Sequence, residues 1–221
     1  MDSFRYEDLG IIEYQEALRI QTEAFQNLIE SKIRKQNAAN VLFFCEHLPV
    51  FTLGKNGLAS NLLVSKSMLE TQGISIYQTN RGGDITFHGP GQITGYPVFD
   101  LESFNLGLRQ YIETIEELII CFLNLYDIRG ERLPGATGVW IEPDTKRARK
   151  ICAIGVKSSR FVTMHGFALN INTDLNYFSL INPCGFKDKG VTSLSVELNR
   201  VINIIECKAQ LVTLFAEMFR N

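Results

Sequence analysis

The stretch RGGDITFHGPGQITGY, residues 81–96, constrains the fold more than any other part of the chain. Five of its sixteen residues are glycine, set among one proline, one arginine and one histidine. Glycine weakens the interior of a helix or strand, so the stretch reads as neither. It is also too varied for a flexible linker. Such backbone freedom suits a segment that approaches another group closely, and a phosphate cradle is one natural reading of it.

Hydrophobic periodicity divides the rest of the chain. Leu18, Phe25, Leu28, Ile29 and Ile33 recur with helical spacing within residues 13–35. Residues 41–45 are a short apolar run expected to be a buried strand. Residues 65–72 predict a short helix closed by Gly73, and Ile74, Ile76 and Thr79 alternate as in a strand. Residues 95–101 predict a strand that Pro97 pushes toward a sheet edge. Residues 108–126 give the clearest helix. Strands are then expected over 138–142, 150–157 and 161–171, and an amphipathic helix over 205–219. Strands in the middle and helices at both ends predict an α+β fold with a mixed, largely antiparallel sheet flanked by helices. Helices do not alternate regularly with strands, which argues against a doubly wound fold. Without repeat or Ser/Pro linker, residues 1–221 are expected to form a single domain, long enough to bury roughly 70% of the unfolded surface.

The formal net charge of −2 gives no general attraction to nucleic acid or anionic membrane. The start, MDSFRYEDLG, lacks the basic and apolar regions of a secretory signal. The longest apolar run, residues 118–123, falls far short of the ~20 residues of a membrane helix. A soluble, cytoplasmic protein is the expectation. Cys45, Cys121, Cys152, Cys184 and Cys207 are odd in number and form no CxxC pair, against a disulfide scaffold or a structural zinc site.

Four of these cysteines lie in expected helices or strands and read as small buried hydrophobes. Cys184 is different. It sits in INPCGFKDKG, between a proline and a glycine, in a turn that can expose sulfur and offer backbone N–H groups to an oxyanion. Lys187 and Lys189 follow, and a nearby cation favours the nucleophilic thiolate. An ordinary loop cysteine explains the same residues equally well. His47, His88 and His165 have no diagnostic metal spacing, and each reads by default as a satisfied structural histidine, with a Cys–His dyad or metal site as the sharper alternatives. Lys150 and Lys157 bracket the apolar run ICAIGV. Seven positions apart, they point to opposite faces of a regular strand, so one of them could enter a cleft.

Taken together, EHLPVFTLGK, RGGDITFHGPGQITGYPVFDL, GVW, RKICAIGVK, TMHGFALN, NPCG and VTSL resemble, in order, the lipoyl(octanoyl) transferases. The resemblance runs from about Glu46 to Leu194. It implies a fold like the biotin and lipoate protein ligases, with no cofactor and no metal. It implies octanoyl transfer from octanoyl-acyl carrier protein to a lysine of a lipoyl domain, on 2-oxoacid dehydrogenase E2 subunits or the glycine cleavage H protein. Cys184 would be the nucleophile and Lys150 the general acid/base. Arg81, Gly82, Gly83, Asp84, Ile85, Thr86, Phe87 and His88 match the segments that line the acyl pocket. So do Ala153, Ile154, Gly155, Gly166, Phe167 and Ala168. Lys157 matches a position not expected to be catalytic. Lys146, Arg147, Arg149, Lys150, Arg160, Lys187 and Lys189 could meet the acidic protein substrates. Cys152 stands where alanine is common in the family. The rival readings are an ATP-dependent lipoate or biotin ligase, octanoyl transfer between lipoyl-type domains, and an inactive relative.

Overall fold

The computed structural model describes residues 3–182 and 189–220. In chain order its elements are β1 (Arg5–Ile12), α1 (Tyr14–Ile33), β2 (Val41–His47), β3 (Val50–Leu53), α2 (Lys66–Thr71), β4 (Ser75–Gln78), β5 (Ile85–His88), β6 (Gln92–Val98), α3 (Leu108–Asn124), β7 (Glu131–Leu133), β8 (Ala136–Ile141), β9 (Arg149–Ser159), β10 (Val162–Asn170), β11 (Gly190–Val191), α4 (Leu194–Leu198) and α5 (Ile204–Met218). The large sheet has the order β1-β2-β6-β10-β9-β8-β7, and β11 pairs with β9. A small sheet has the order β4-β3-β5. Among the described residues only β1 with β2, β9 with β11 and β3 with β4 are parallel pairs, so the sheets are mixed and largely antiparallel as expected.

The central strands β2, β6 and β10 are buried because both faces of the large sheet are covered there. In β2 every residue but Glu46 is buried, which is why it reads as a continuous apolar run rather than an alternating one. One face receives the apolar stripe of α1, with Ala17, Phe25 and Leu28 against Phe43, Tyr96 and Met164. The other face is sealed by Tyr111, Ile115 and Phe122 of α3 and by Leu211 and Phe215 of α5. Full burial of one such side chain contributes roughly 1.5–3 kcal/mol. The Asn203 side chain starts α5 by accepting hydrogen bonds from the N–H groups of Ile205 and Glu206. Among the described residues no helix is long and apolar enough to cross a membrane.

Several expectations are corrected. The glycine stretch holds β5 and most of β6, so more than half of it is strand. Pro97 sits in β6, an interior strand between β2 and β10, and not at an edge. It is tolerated because the β10 ladder opens there. Phe167 pairs with Gly95, and the Thr163 N–H donates to the Phe99 carbonyl in the same register. Between them His165 adopts φ +59 and sends its N–H to the Gln21 side chain, so no ladder bond is asked of the proline nitrogen. Cys121 is half-buried rather than buried. The acidic start forms β1, a half-exposed strand that its charges concealed. Residues Arg160 and Phe161, φ +52 and +64, make a tight turn joining β9 to β10 as a hairpin, without the glycine or asparagine usual in such turns.

Candidate active site

The large sheet leaves a cavity of about 600 Å³ between its floor and the small sheet. The floor comes from alternate residues of three adjacent strands: Ala153 and Gly155 of β9, Gly166 and Ala168 of β10, and Gln92, Thr94 and Tyr96 of β6. Four of these seven carry no side chain or a methyl group, which is what opens space above a sheet whose other positions are filled. The roof is the start of the glycine stretch, residues 81–86.

That roof is held by backbone at distances only glycine permits. The Gly82 N–H donates to the Val156 carbonyl at 2.9 Å. A Cβ on Gly155 would lie 2.7 Å from the Gly82 oxygen, and one on Gly54 would lie 2.3 Å from the Gly83 oxygen. Arg81 is nearly buried and fastens the loop from within. Its guanidinium donates to the Thr52 carbonyl at 2.7 Å, the Thr52 hydroxyl at 2.9 Å, the Asp84 carbonyl at 2.8 Å and the Gly82 carbonyl at 2.9 Å. The Asp84 carboxylate accepts from the Asn61 amide and from the Ile85 N–H.

Along the cavity lies a polar-aromatic group, with Tyr14, His88 and His165 in its lining, in which each histidine has a partner. The His88 Nδ1–H donates to Gln92 Oε1 at 2.8 Å, leaving Nε2 to accept from the Thr52 hydroxyl at 3.2 Å. The His47 Nδ1–H donates to the Ile12 carbonyl, and its Nε2 accepts from the Tyr96 hydroxyl at 2.7 Å. The His165 Nε2–H donates to Asn80 Oδ1 at 2.8 Å. Burial pushes all three rings below their ordinary value of 6.5, His47 to about 4, His165 to about 3 and His88 well down. Arg81 adds to this for His88 and His165. At neutral pH the group is uncharged imidazole. Burial likewise raises the Tyr14 hydroxyl to about 12. Among the described residues no three His, Cys, Asp or Glu side chains come together as a metal site.

Lys150 reaches the cavity through a β-bulge. Val139 pairs with Cys152 but Trp140 pairs with Lys150, so Ile151 is an extra residue in β9. The extra residue reverses the side-chain alternation, and Lys150 shares the cavity-facing side with Ala153, Gly155 and Lys157. The expectation of opposite faces for Lys150 and Lys157 is therefore corrected. Lys150 lines the cavity, whereas Lys157 lies over the Phe25 ring of α1 at 5.1 Å. The Lys150 ammonium donates to the Thr137 carbonyl at 3.1 Å and stands 4.6 Å from the centre of the Trp140 ring.

Of the residues named from sequence, Arg81, Gly82, Gly83, Asp84, Ile85, Thr86, His88, Lys150, Ala153, Ile154, Gly155, Gly166, Phe167 and Ala168 all line this cavity. Phe87 does not: it is fully buried and stacked on Tyr177 at 4.3 Å in the small sheet's own core. Cys184 and Lys187 lie outside the described residues. The residues that follow them, Lys189, Gly190 and Val191, line the cavity, and β11 runs beside Arg149 and Lys150. Cys45 and Cys152 are buried thiols whose titration burial pushes far up, which suits small hydrophobes. The basic patch is less available than its sequence implies. Arg147 pairs with Glu142, and Arg149 pairs with Glu142 and Glu197. Tyr14, Gln92, Thr94 and Trp140 also line the cavity and were not singled out from sequence. The alternation of Gln92, Thr94 and Tyr96 within β6 was the available signal.

Comparison with known proteins fits this geometry. The family model described as "Lipoyl protein ligase A/B catalytic domain" matches residues 13–216. An octanoyltransferase of Parabacteroides distasonis is 65% identical over 220 residues, covering 99% of this chain and 100% of that protein. An octanoyltransferase of Porphyromonas gingivalis is 54% identical over 217 residues, covering 98% of this chain, which spans 44% of that longer protein. The bipartite lipoate protein ligase of Thermoplasma acidophilum, studied with its E2 lipoyl domain, has the same fold at a TM-score of 0.73. It is 17% identical, and the match covers 100% of this chain and 87% of that one. The chain belongs to the octanoyltransferases of the lipoyl protein ligase A/B catalytic-domain family.

Proposed function

We propose that the chain transfers an octanoyl group from octanoyl-acyl carrier protein, through a thioester on Cys184, to the lysine amine of a lipoyl domain. The observation that carries this reading is the shared cavity: Lys150 and the three residues that follow the Cys184 segment line one space floored by small residues. The octanoyltransferase relatives support the acyl group, and the archaeal ligase studied with a lipoyl domain supports the acceptor.

In the first half-reaction the Cys184 thiolate attacks the thioester carbonyl of the donor. The C–S bond to the carrier breaks, and the Lys150 ammonium protonates the departing carrier thiolate. In the second, the acceptor amine attacks the enzyme thioester. Lys150 takes the proton from that amine, and the Cys184 thiolate leaves as the amide forms. Energy stored in the donor thioester drives the sequence, so no ATP is consumed. Backbone N–H groups near Cys184 or Gly155 would hold the oxyanion of each tetrahedral intermediate. The octanoyl chain lies over Ala153, Gly155, Gly166 and Ala168. Burying its methylenes and terminal methyl contributes about 6 kcal/mol, at roughly 0.8 kcal/mol per carbon.

The test is transfer to an apo lipoyl domain by the purified chain, with octanoyl-acyl carrier protein or with free octanoate plus ATP. Octanoylation from the carrier without ATP is the expected result. Octanoylation only from free octanoate with ATP would establish an ATP-dependent ligase instead. Transfer only from an octanoylated lipoyl-type domain would replace the carrier as donor.

A further inference from the structure

Lys150 is braced by a carboxylate that does not touch the cavity. Glu116 of α3 is 7% exposed. Its Oε1 accepts a hydrogen bond from the Gly138 N–H at 2.9 Å, and its Oε2 accepts from Arg132 at 3.1 Å. The Thr137 carbonyl that receives the Lys150 ammonium belongs to the same peptide group as that Gly138 N–H. One peptide unit thus carries a carboxylate at the positive end of its dipole and an ammonium at the negative end. Both contacts are favourable to the dipole, and each strengthens the other by polarisation.

The surroundings fit a built clamp. Gly138 has φ +119, a backbone conformation suited to glycine. A Cβ there would lie 2.5 Å from the Cys152 carbonyl oxygen and 3.5 Å from the Lys150 stem. The indole of Trp140, over which Lys150 rests, is itself fixed by donating to the Ala136 carbonyl at 3.0 Å. The β9 bulge turns Lys150 toward this peptide. An ion pair tying α3 to β7 would need Arg132 alone; the second oxygen of Glu116 is spent on the peptide that holds the lysine.

We infer that Glu116 is a positioning residue for Lys150, acting through the Thr137–Gly138 peptide to fix the ammonium at the cavity. The inference rests on Lys150 serving in transfer as proposed above. It is tested by a double-mutant cycle on single-turnover acylation and on steady-state transfer, using Glu116→Gln, Glu116→Ala, Lys150→Ala and the two double variants, with thermal melts alongside. Gln keeps the acceptor oxygen and removes the charge. The expected losses in kcat are roughly 3–10-fold for Glu116→Gln and roughly 10–100-fold for Glu116→Ala, with KM within about twofold. In the Lys150→Ala background both losses should shrink to less than about twofold, because the group being positioned is gone. Equal losses with and without Lys150, or a Glu116→Gln enzyme with unchanged kcat, would overturn the inference while leaving Lys150's own role intact. A Lys150→Ala enzyme of full activity would instead remove the role of Lys150, and the inference with it.

Discussion

Gly155→Ala adds one methyl group at the point where the glycine roof rests on the floor strand. The new Cβ would lie 2.7 Å from the Gly82 carbonyl oxygen, where an ordinary contact begins near 3.4 Å. The two groups must separate by about 0.7 Å, the difference between those distances. Neither is the end of a flexible side chain, so the separation is a backbone shift. It also strains the Gly82 N–H bond to Val156, made at 2.9 Å in the same contact. Overpacking of this kind costs roughly 1–3 kcal/mol, and a weakened hydrogen bond adds up to about 1 kcal/mol. A total of about 1–4 kcal/mol lowers Tm by roughly 2–16 °C in a chain of this size. Because the displaced loop is the roof over the acyl chain, KM for the octanoyl donor should rise as well. Thermal unfolding monitored by circular dichroism and steady-state transfer read the two effects. A variant melting within about 2 °C of wild type with unchanged KM would refute the reasoning that backbone contact closes this cavity.

Other consequences can be checked separately. Cys184→Ala should abolish transfer while melting like wild type, and full transfer by the folded variant would exclude Cys184 as nucleophile. Lys150→Ala should slow iodoacetamide alkylation of Cys184 at neutral pH by removing the cation that favours its thiolate; unchanged alkylation would contradict that pairing. Ala168→Leu should fill the floor and favour a hexanoyl over an octanoyl donor, and an unaltered chain-length preference would place the acyl chain elsewhere. Burial holds His47 at about 4 and His165 at about 3, against 6.5 ordinarily, so the unfolded chain takes up these protons first. Stability from both rings is full above about pH 6.5 and falls as the pH drops toward 4 and then 3. His47 alone contributes up to about 3 kcal/mol. Urea midpoints at pH 7, 5.5 and 4.5 should fall, and fall less in His47→Gln; a flat profile would contradict the buried neutral state.

What the sequence made legible follows the range of the interactions concerned. The periodicity of α1, α3 and α5 showed because each helix buries one stripe along its own length. The glycine motif announced a close backbone approach but not its partner, since Gly155 lies more than seventy positions away. Phe87 was legible in principle: in β5 it alternates with Thr86 and His88, which line the cavity, and so faces the other way. The bulge at Ile151 was not, because one extra residue changes no composition yet reverses which lysine face meets the cavity. Pro97 misled because its tolerance depends on the opening at His165 in a distant strand. Glu116 was not singled out from sequence. Its burial exists only once β8 folds over it.

Transfer by the proposed route requires the acyl group to rest on Cys184 between donor and acceptor. Octanoyl-acyl carrier protein mixed with the chain in the absence of a lipoyl domain, followed by intact-mass and peptide mass spectrometry, tests this directly. One octanoyl group on Cys184, discharged when an apo lipoyl domain is added, is the predicted result. An octanoyl group on any other residue, or transfer to the acceptor with no acylated enzyme at any time point, would contradict it.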